Sequence, residues 1–174
     1  PELSAVNGRR PVTITSGVTP LEGIPGQTTC GEMDSSIILT LSEKKHWSPE
    51  KINAVLTQES GLKGLVGRSI TWEELFTTKQ PDVRLAREMM LNRFLLASGA
   101  GVAAMGGIDH VVFSGRYAEM GAILGPWLCS RLPLRNNHSA ISGEDCWTCY
   151  TESLARIIAD EASVIVLSVS SMVS

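Results

Sequence analysis

The stretch "TSGVTPLEGIPGQTTCGEMD", residues 15–34, constrains this chain more than any other part of it. It carries four glycines and two prolines. Glycine admits left-handed backbone and close approach, whereas proline fixes φ and removes a donor. A segment holding both so densely cannot continue a helix or a central strand, so it must be a long, stiffened loop. Before it, "SAVNGRRPVTIT" reads as two strands joined at Asn7-Gly8, a strong hairpin signal. After it, an apolar run near 35–45 reads as a helix.

The remaining pattern alternates helices and short strands. Ser48-Pro49-Glu50 offers an N-cap, a first-turn proline and a favourable acid, and Gly61 reads as the close of that helix. Thr71 and Glu74 form a capping box before a short helix carrying Trp72 and Leu75. A long helix is predicted from Asp82 to about Met105, with Val83, Ala86, Met90, Phe94 and Ala97 recurring at spacings of three and four. Gly99 and Gly101 weaken its interior, which predicts close packing of its second half against another backbone. "HVVFSG" reads as a buried strand, 117–131 as a helix interrupted at Gly125-Pro126, "LARIIADEA" as a helix and "SVIVLSVSS" as a last strand. The reading is α/β, a mixed sheet with packed helices, and residues 1–174 are taken as one partial domain.

Several function classes are set aside by composition. The formal charge of -3 gives no basic footprint for nucleic acid. The most membrane-like run, "FLLASGAGVAAMGGI", is shorter than the roughly 18 apolar residues a span needs. Four cysteines make no dense disulfide framework, and no charged-then-apolar leader opens the sequence. The expectation is therefore an intracellular, reducing setting, cytoplasm or organelle matrix. Cys146 and Cys149 form a lone C-x-x-C, readable as a redox pair or, with Cys129 and His138, as a zinc site; packed thiols are the plainer reading. His46 and His110 read as capping or packing residues, and Glu73-Glu74 as a solvated face.

The loop and two later strings share a further property. "TSGVTPLEGIPGQTTCGEMDSSI" resembles the Thr-Pro-Leu-Glu-Gly loop of acetate and propionate kinases. "TQESGLKGLVGRS" is similar to that family's Lys-Ser-Gly-Leu-Leu-Gly-x-Ser-Gly stretch, and "GGIDHVVFSG" to its Gly-x-Asp-Ala-x-Val-Phe-Thr strand. The likeness runs clearly to about residue 132 and weakly beyond. It implies a partial ribonuclease H-like domain of the actin-like ATPase fold, matching most of the nucleotide-side C-terminal domain of these kinases.

Residue by residue, the resemblance keeps scaffold and loses chemistry. The family's loop arginine, which supplies charge to the transferred phosphoryl, falls at Thr29. The nucleotide-packing segment falls on Ile70 to Glu74, so Thr71 and Trp72 are the cofactor-binding positions there, with an acid at Glu73 where the family has a base. The family's Gly-Ile-Gly-Glu-Asn turn falls on Arg116, Tyr117, Ala118, Glu119 and Met120, and the cofactor-binding positions the resemblance carries over are Gly115, Arg116, Tyr117 and Glu119. No catalytic residue is assigned. The sequence reading is accordingly a non-catalytic, acetate-kinase-like structural or interaction subunit, with no cofactor and with protein partners or a homodimer mate. The alternative is a fragment of an ATP-dependent acetate or propionate kinase, with ATP and magnesium.

Overall fold

The computed structural model describes residues 1–114, 121–132, 147–149 and 163–168. Its elements are β1 (Glu2–Asn7), β2 (Arg10–Ile14), α1 (Ser36–Lys45), α2 (Pro49–Gln58), α3 (Gly61–Val66), α4 (Trp72–Thr77), α5 (Pro81–Met105), β3 (His110–Phe113), α6 (Gly121–Cys129), β4 (Trp147–Cys149) and β5 (Ser163–Ser168). Contacts divide the chain into two compact units, one of residues 1–15 and 91–174 and one of residues 16–90.

The first unit is built on a five-stranded sheet in the order β2-β1-β5-β3-β4. The hairpin forms as its sequence demands: Asn7 pairs with Arg10, and Gly8 takes a φ of 58° that a side chain disfavours. Strand β5 lies antiparallel to β1, from Glu2 opposite Ser168 to Asn7 opposite Ser163, and parallel to β3. The strand read as last in sequence is thus the centre of the sheet. A further strand, β4, pairs parallel with β3 through Val111 and Trp147; in the sequence these residues stand out only as a cysteine motif. Alternation on β1 turns Leu3 and Ala5 inward, and Val111, Val112, Phe113 and Ile165 are buried with them. Phe94, Val102, Met105, Leu124 and Leu128 complete this core. Each large apolar side chain so removed from water contributes roughly 1.5–3 kcal/mol.

Two sequence expectations about this unit need correction. The buried stripe of α5 passes through Ser98 rather than Ala97, and continues at Gly101, Val102 and Met105. The cause is the contact at Gly101: a Cβ there would meet the Ala5 Cβ at 2.9 Å and Ile165 at 3.8 Å, so Gly101 lies close against side chains of the strands. At Gly99 an added Cβ would meet nothing within 4 Å among the described residues. Helix α6 is not interrupted at Gly125-Pro126. Pro126 lies inside it, on the exposed side, where the carbonyl freed by its missing N–H is open to water.

The second unit is helical. Ile24, Ile52, Leu62, Ile70, Leu75, Val83, Ala86 and Met90 are its buried apolar residues. Ser48 caps α2 by accepting from the Lys51 N–H at 3.3 Å, with Pro49 at the first helical position. Asp34 accepts from the Ser36 N–H at 2.8 Å ahead of α1, and that bond holds its carboxyl below the usual range. Helix α1 buries none of its residues, and it ends at His46 in the left-handed region with φ 52°. His46 therefore serves as a cap, as its position in the sequence implied. No helix of the described residues is long and apolar enough to cross a membrane.

Candidate functional site

The stiffened loop has a definite job in the helical unit. Its carbonyls meet the amides that a helix start leaves without partners. Leu62 and Lys63, in the first turn of α3, donate to Gly26 O at 3.0 Å and Gln27 O at 2.8 Å; Ser60 donates to Thr28 O at 3.0 Å. Within the loop, Gly26 donates to Thr29 O and Glu32 to Gly23 O, and Cys30 donates to Leu56 O at the end of α2. Gly61 does not close α2, which ends at Gln58. It opens α3 with φ 59°, and a Cβ on it would stand 2.3 Å from Gly26 O. Only glycine lets the loop carbonyl come so close.

This docking forms one wall of a cavity of about 280 Å³, lined by Gln27, Thr28, Lys63, Ser69, Ile70, Thr71 and Glu74. The Gln27 Nε2 donates to Ile70 O at 3.2 Å and ties the loop to the opposite wall. Thr71 caps α4, its Oγ1 accepting from the Glu74 N–H at 3.1 Å. The expected capping box is only half made. Instead of reaching back, the Glu74 carboxylate accepts from Arg68 Nη2 at 2.5 Å, and this bond holds the Glu74 carboxyl below its ordinary range. Arg68 also donates to Gln80 Oε1 at 3.2 Å and to Ser69 O at 3.3 Å. Lys63 Nζ pairs with Glu59 Oε1 at 2.8 Å and donates to Gln58 O at 3.2 Å.

Of the positions singled out from sequence, Thr71 lines this cavity and Glu74 lines it too. Trp72 is half-buried and is not among the lining residues, and Glu73 is exposed, in keeping with a solvated face. Thr29 adjoins the lining residue Thr28 and is fixed by its backbone, but its side chain does not line the cavity. Gly115, Arg116, Tyr117 and Glu119 lie outside the described residues, as do His138, Cys146 and the helix expected at "LARIIADEA". Gln27, Thr28, Lys63 and Ser69 were not picked out as site residues. Their signal was present only as the recurrence of two family strings around them.

Burial pushes the Cys30 thiol up, away from thiolate reactivity. Cys129 is disulfide-bonded, with its partner outside the described side chains, which takes it out of the zinc site the sequence offered as one alternative. The described residues contain no group of three or more side chains able to hold a metal ion. Trp127 is half-buried with the Arg131 guanidinium over its ring at 4.3 Å.

Comparison with known proteins bears on the whole chain. The model of the acetokinase family matches residues 2–163. The acetate kinase of Microcystis aeruginosa is 34% identical over 125 residues, covering 70% of this chain and 31% of that protein. The acetate kinase of Syntrophobacter fumaroxidans is 36% identical over 121 residues, covering 68% of this chain and 29% of that one. Among solved structures, a propionate kinase from Francisella tularensis superposes with a TM-score of 0.68 at 22% identity, and the Porphyromonas gingivalis acetate kinase with 0.66 at 21%. Each of these covers 95% of this chain and 42% of the solved one, and both show the actin-like ATPase fold. The chain spans about a third of the length of the curated relatives it matches.

Proposed function

The chain belongs to the acetokinase family, and from that premise we propose that it is a portion of an ATP-dependent acetate or propionate kinase, the portion that faces the nucleotide. Residues 1–174 are read as part of the nucleotide-side C-terminal domain. This reverses the order of the two sequence readings. The reason is the reach of the family match, which runs to residue 163 and so past the point near 132 where the motif likeness thins.

One observation carries the proposal. The segment aligned with the family's nucleotide-packing stretch supplies Ile70, Thr71 and Glu74 to a cavity whose other wall is the Thr-Pro-Leu-Glu-Gly loop, through Gln27 and Thr28. Two strings far apart in sequence, each with its own family likeness, meet at one concave surface. Phosphoryl transfer between ATP and a carboxylate brings two anions together, so such a surface works by positioning and by cationic and hydroxyl donors rather than by covalent chemistry. Thr28, Ser69 and Thr71 offer hydroxyls there and Lys63 a cation. Magnesium would be bound largely through the nucleotide's phosphates, as this ion usually is in phosphoryl-transfer sites.

A second reading rests on Thr29. With a threonine at the family's arginine position, the loop lacks the charge that steadies the moving phosphoryl, and the chain becomes a non-catalytic subunit that docks on protein partners or on a second copy. Calorimetry with magnesium-ATP tests the first reading. Saturable heat below millimolar nucleotide, lost on a Thr71→Glu change that places a second carboxylate in the cavity, supports it; no heat at millimolar nucleotide overturns it. Sedimentation tests the second, which a stable monomer at micromolar concentration defeats. The intracellular setting stays part of the proposal, and its reducing character stands against the Cys129 disulfide.

A further inference from the structure

The cavity's two neighbouring cations are both occupied, and by the same kind of partner. Lys63 lines the cavity and pairs with Glu59. Arg68 is not a lining residue, but it is bonded to the carbonyl of one, Ser69, and to the carboxylate of another, Glu74. From this arrangement we infer that Lys63 and Arg68 are a phosphate-gripping pair, each held by a glutamate that an incoming phosphate group displaces. The inference rests on the nucleotide reading above and assigns that reading its phosphate contacts.

Exchange of partners is energetically cheap here. In both pairs the side chains are substantially exposed, at 30% and 56% for Lys63 and Glu59 and 43% and 35% for Arg68 and Glu74. Exposed ion pairs contribute little, because water already solvates both charges and ordering two long side chains costs entropy. A phosphate group offers three acceptor oxygens and up to about two negative charges, and the planar guanidinium fork matches it in two bonds at once. The hydroxyls of Thr28, Ser69 and Thr71 are lining groups as well. Room also selects: the cavity is near the low end of the roughly 300–1,000 Å³ that drug-sized ligands occupy, so a phosphate end fits and a whole nucleotide does not.

Glu74 gives the arrangement its discrimination. Its carboxylate both lines the cavity and engages Arg68. An anion meets repulsion until Arg68 changes hands, and a neutral ligand gains nothing by displacing the pair. Removing the Glu74 charge should therefore strengthen anion binding, which is the opposite of what loss of a purely structural ion pair does.

The test titrates the 174-residue chain with inorganic phosphate, ADP and adenosine, as wild type, Glu74→Gln, Arg68→Gln and Lys63→Gln. Phosphate and ADP should bind about threefold or more tighter to Glu74→Gln and about tenfold weaker to Arg68→Gln, from the typical strength of one charged hydrogen bond. Lys63→Gln should weaken both, and adenosine should be indifferent to all three changes. The gain in Glu74→Gln cannot come from misfolding. If ADP binds equally to every variant, the phosphate grip is wrong and the nucleotide reading survives. If phosphate binds through Arg68 but ADP binds no better than phosphate, the grip stands and the nucleotide reading fails. Absence of any binding to wild type overturns both.

Discussion

Gly99 and Gly101 stand two residues apart in one helix and should respond oppositely to the same substitution. Alanine is favoured over glycine in a helix interior by about 1 kcal/mol, whatever lies around it. At residue 99 an added Cβ meets nothing within 4 Å, so Gly99→Ala should raise stability by most of that amount. At residue 101 the same Cβ would stand 2.9 Å from the Ala5 Cβ, closer than real Cβ atoms come, with Ile165 at 3.8 Å behind. Overpacking of this kind costs roughly 1–3 kcal/mol, which cancels or exceeds the helical gain. The difference between the two variants removes the shared propensity and leaves the packing contribution alone, about 1–3 kcal/mol. Urea denaturation followed by circular dichroism reads it as a separation of midpoints at equal slope. The double variant Ala5→Gly with Gly101→Ala supplies the control, since it moves the methyl from strand to helix and should show a favourable coupling in a double-mutant cycle. Equal stability of the two single variants, with additive behaviour in the cycle, would refute the argument that α5 meets the sheet at Gly101.

Three other outcomes follow from the same geometry. Ser98 is fully buried and its hydroxyl has no partner among the described residues, so Ser98→Ala should raise stability by about 1 kcal/mol in chemical denaturation; a loss would show that the hydroxyl is satisfied. Gly61→Ala and Gly67→Ala share the left-handed penalty, φ 59° and 76°, but only residue 61 faces a carbonyl, at 2.3 Å. Gly67→Ala should therefore lower stability by about 1 kcal/mol and Gly61→Ala by at least about 2, and equal losses would argue against loop docking. Asp34 and Glu74 have carboxyls held below their ordinary range, so their contribution is present above the unfolded value and lost as pH falls through the lowered folded one. A melting-temperature profile from neutral to acid should consequently be flatter in Asp34→Asn and Glu74→Gln, and a profile unchanged in both variants contradicts the assignment.

What could be read from sequence was what neighbouring residues decide. The hairpin at Gly8, the caps at Ser48 and Thr71, and the strand at His110–Phe113 each depend on a few adjacent positions, and each is where the pattern put it. What escaped depends on partners distant in the chain. Helix α3 carries no strong start signal of its own, because its first amides are met by loop carbonyls rather than by a side-chain cap. Gly61 looked like the end of α2 for the same reason. The placement of β5 between β1 and β3 is a choice of register and neighbour that its apolar run cannot express. The cavity escaped because it is assembled from the loop, α3 and the start of α4, none of which shows a catalytic motif alone. Only the likeness to a known family hinted that Thr71 faced anything.

The bonds between the loop and α3 also fix an order of events. Six residues are too few for a helix to hold together in water unaided, since nucleation is unfavourable and little propagation follows. The carbonyls that complete its first turn, those of Gly26 and Gln27, are far upstream and can reach it only after the intervening chain, α1 and α2 included, has closed into a ring. Closing such a ring costs entropy that grows slowly with its length, so the delay is in the search rather than in the final stability. Helix α3 is therefore expected to mature late, at the moment the glycine-rich loop docks. The glycines and prolines that make that loop stiff also narrow the search, by holding it near its docked shape before it has anything to dock on.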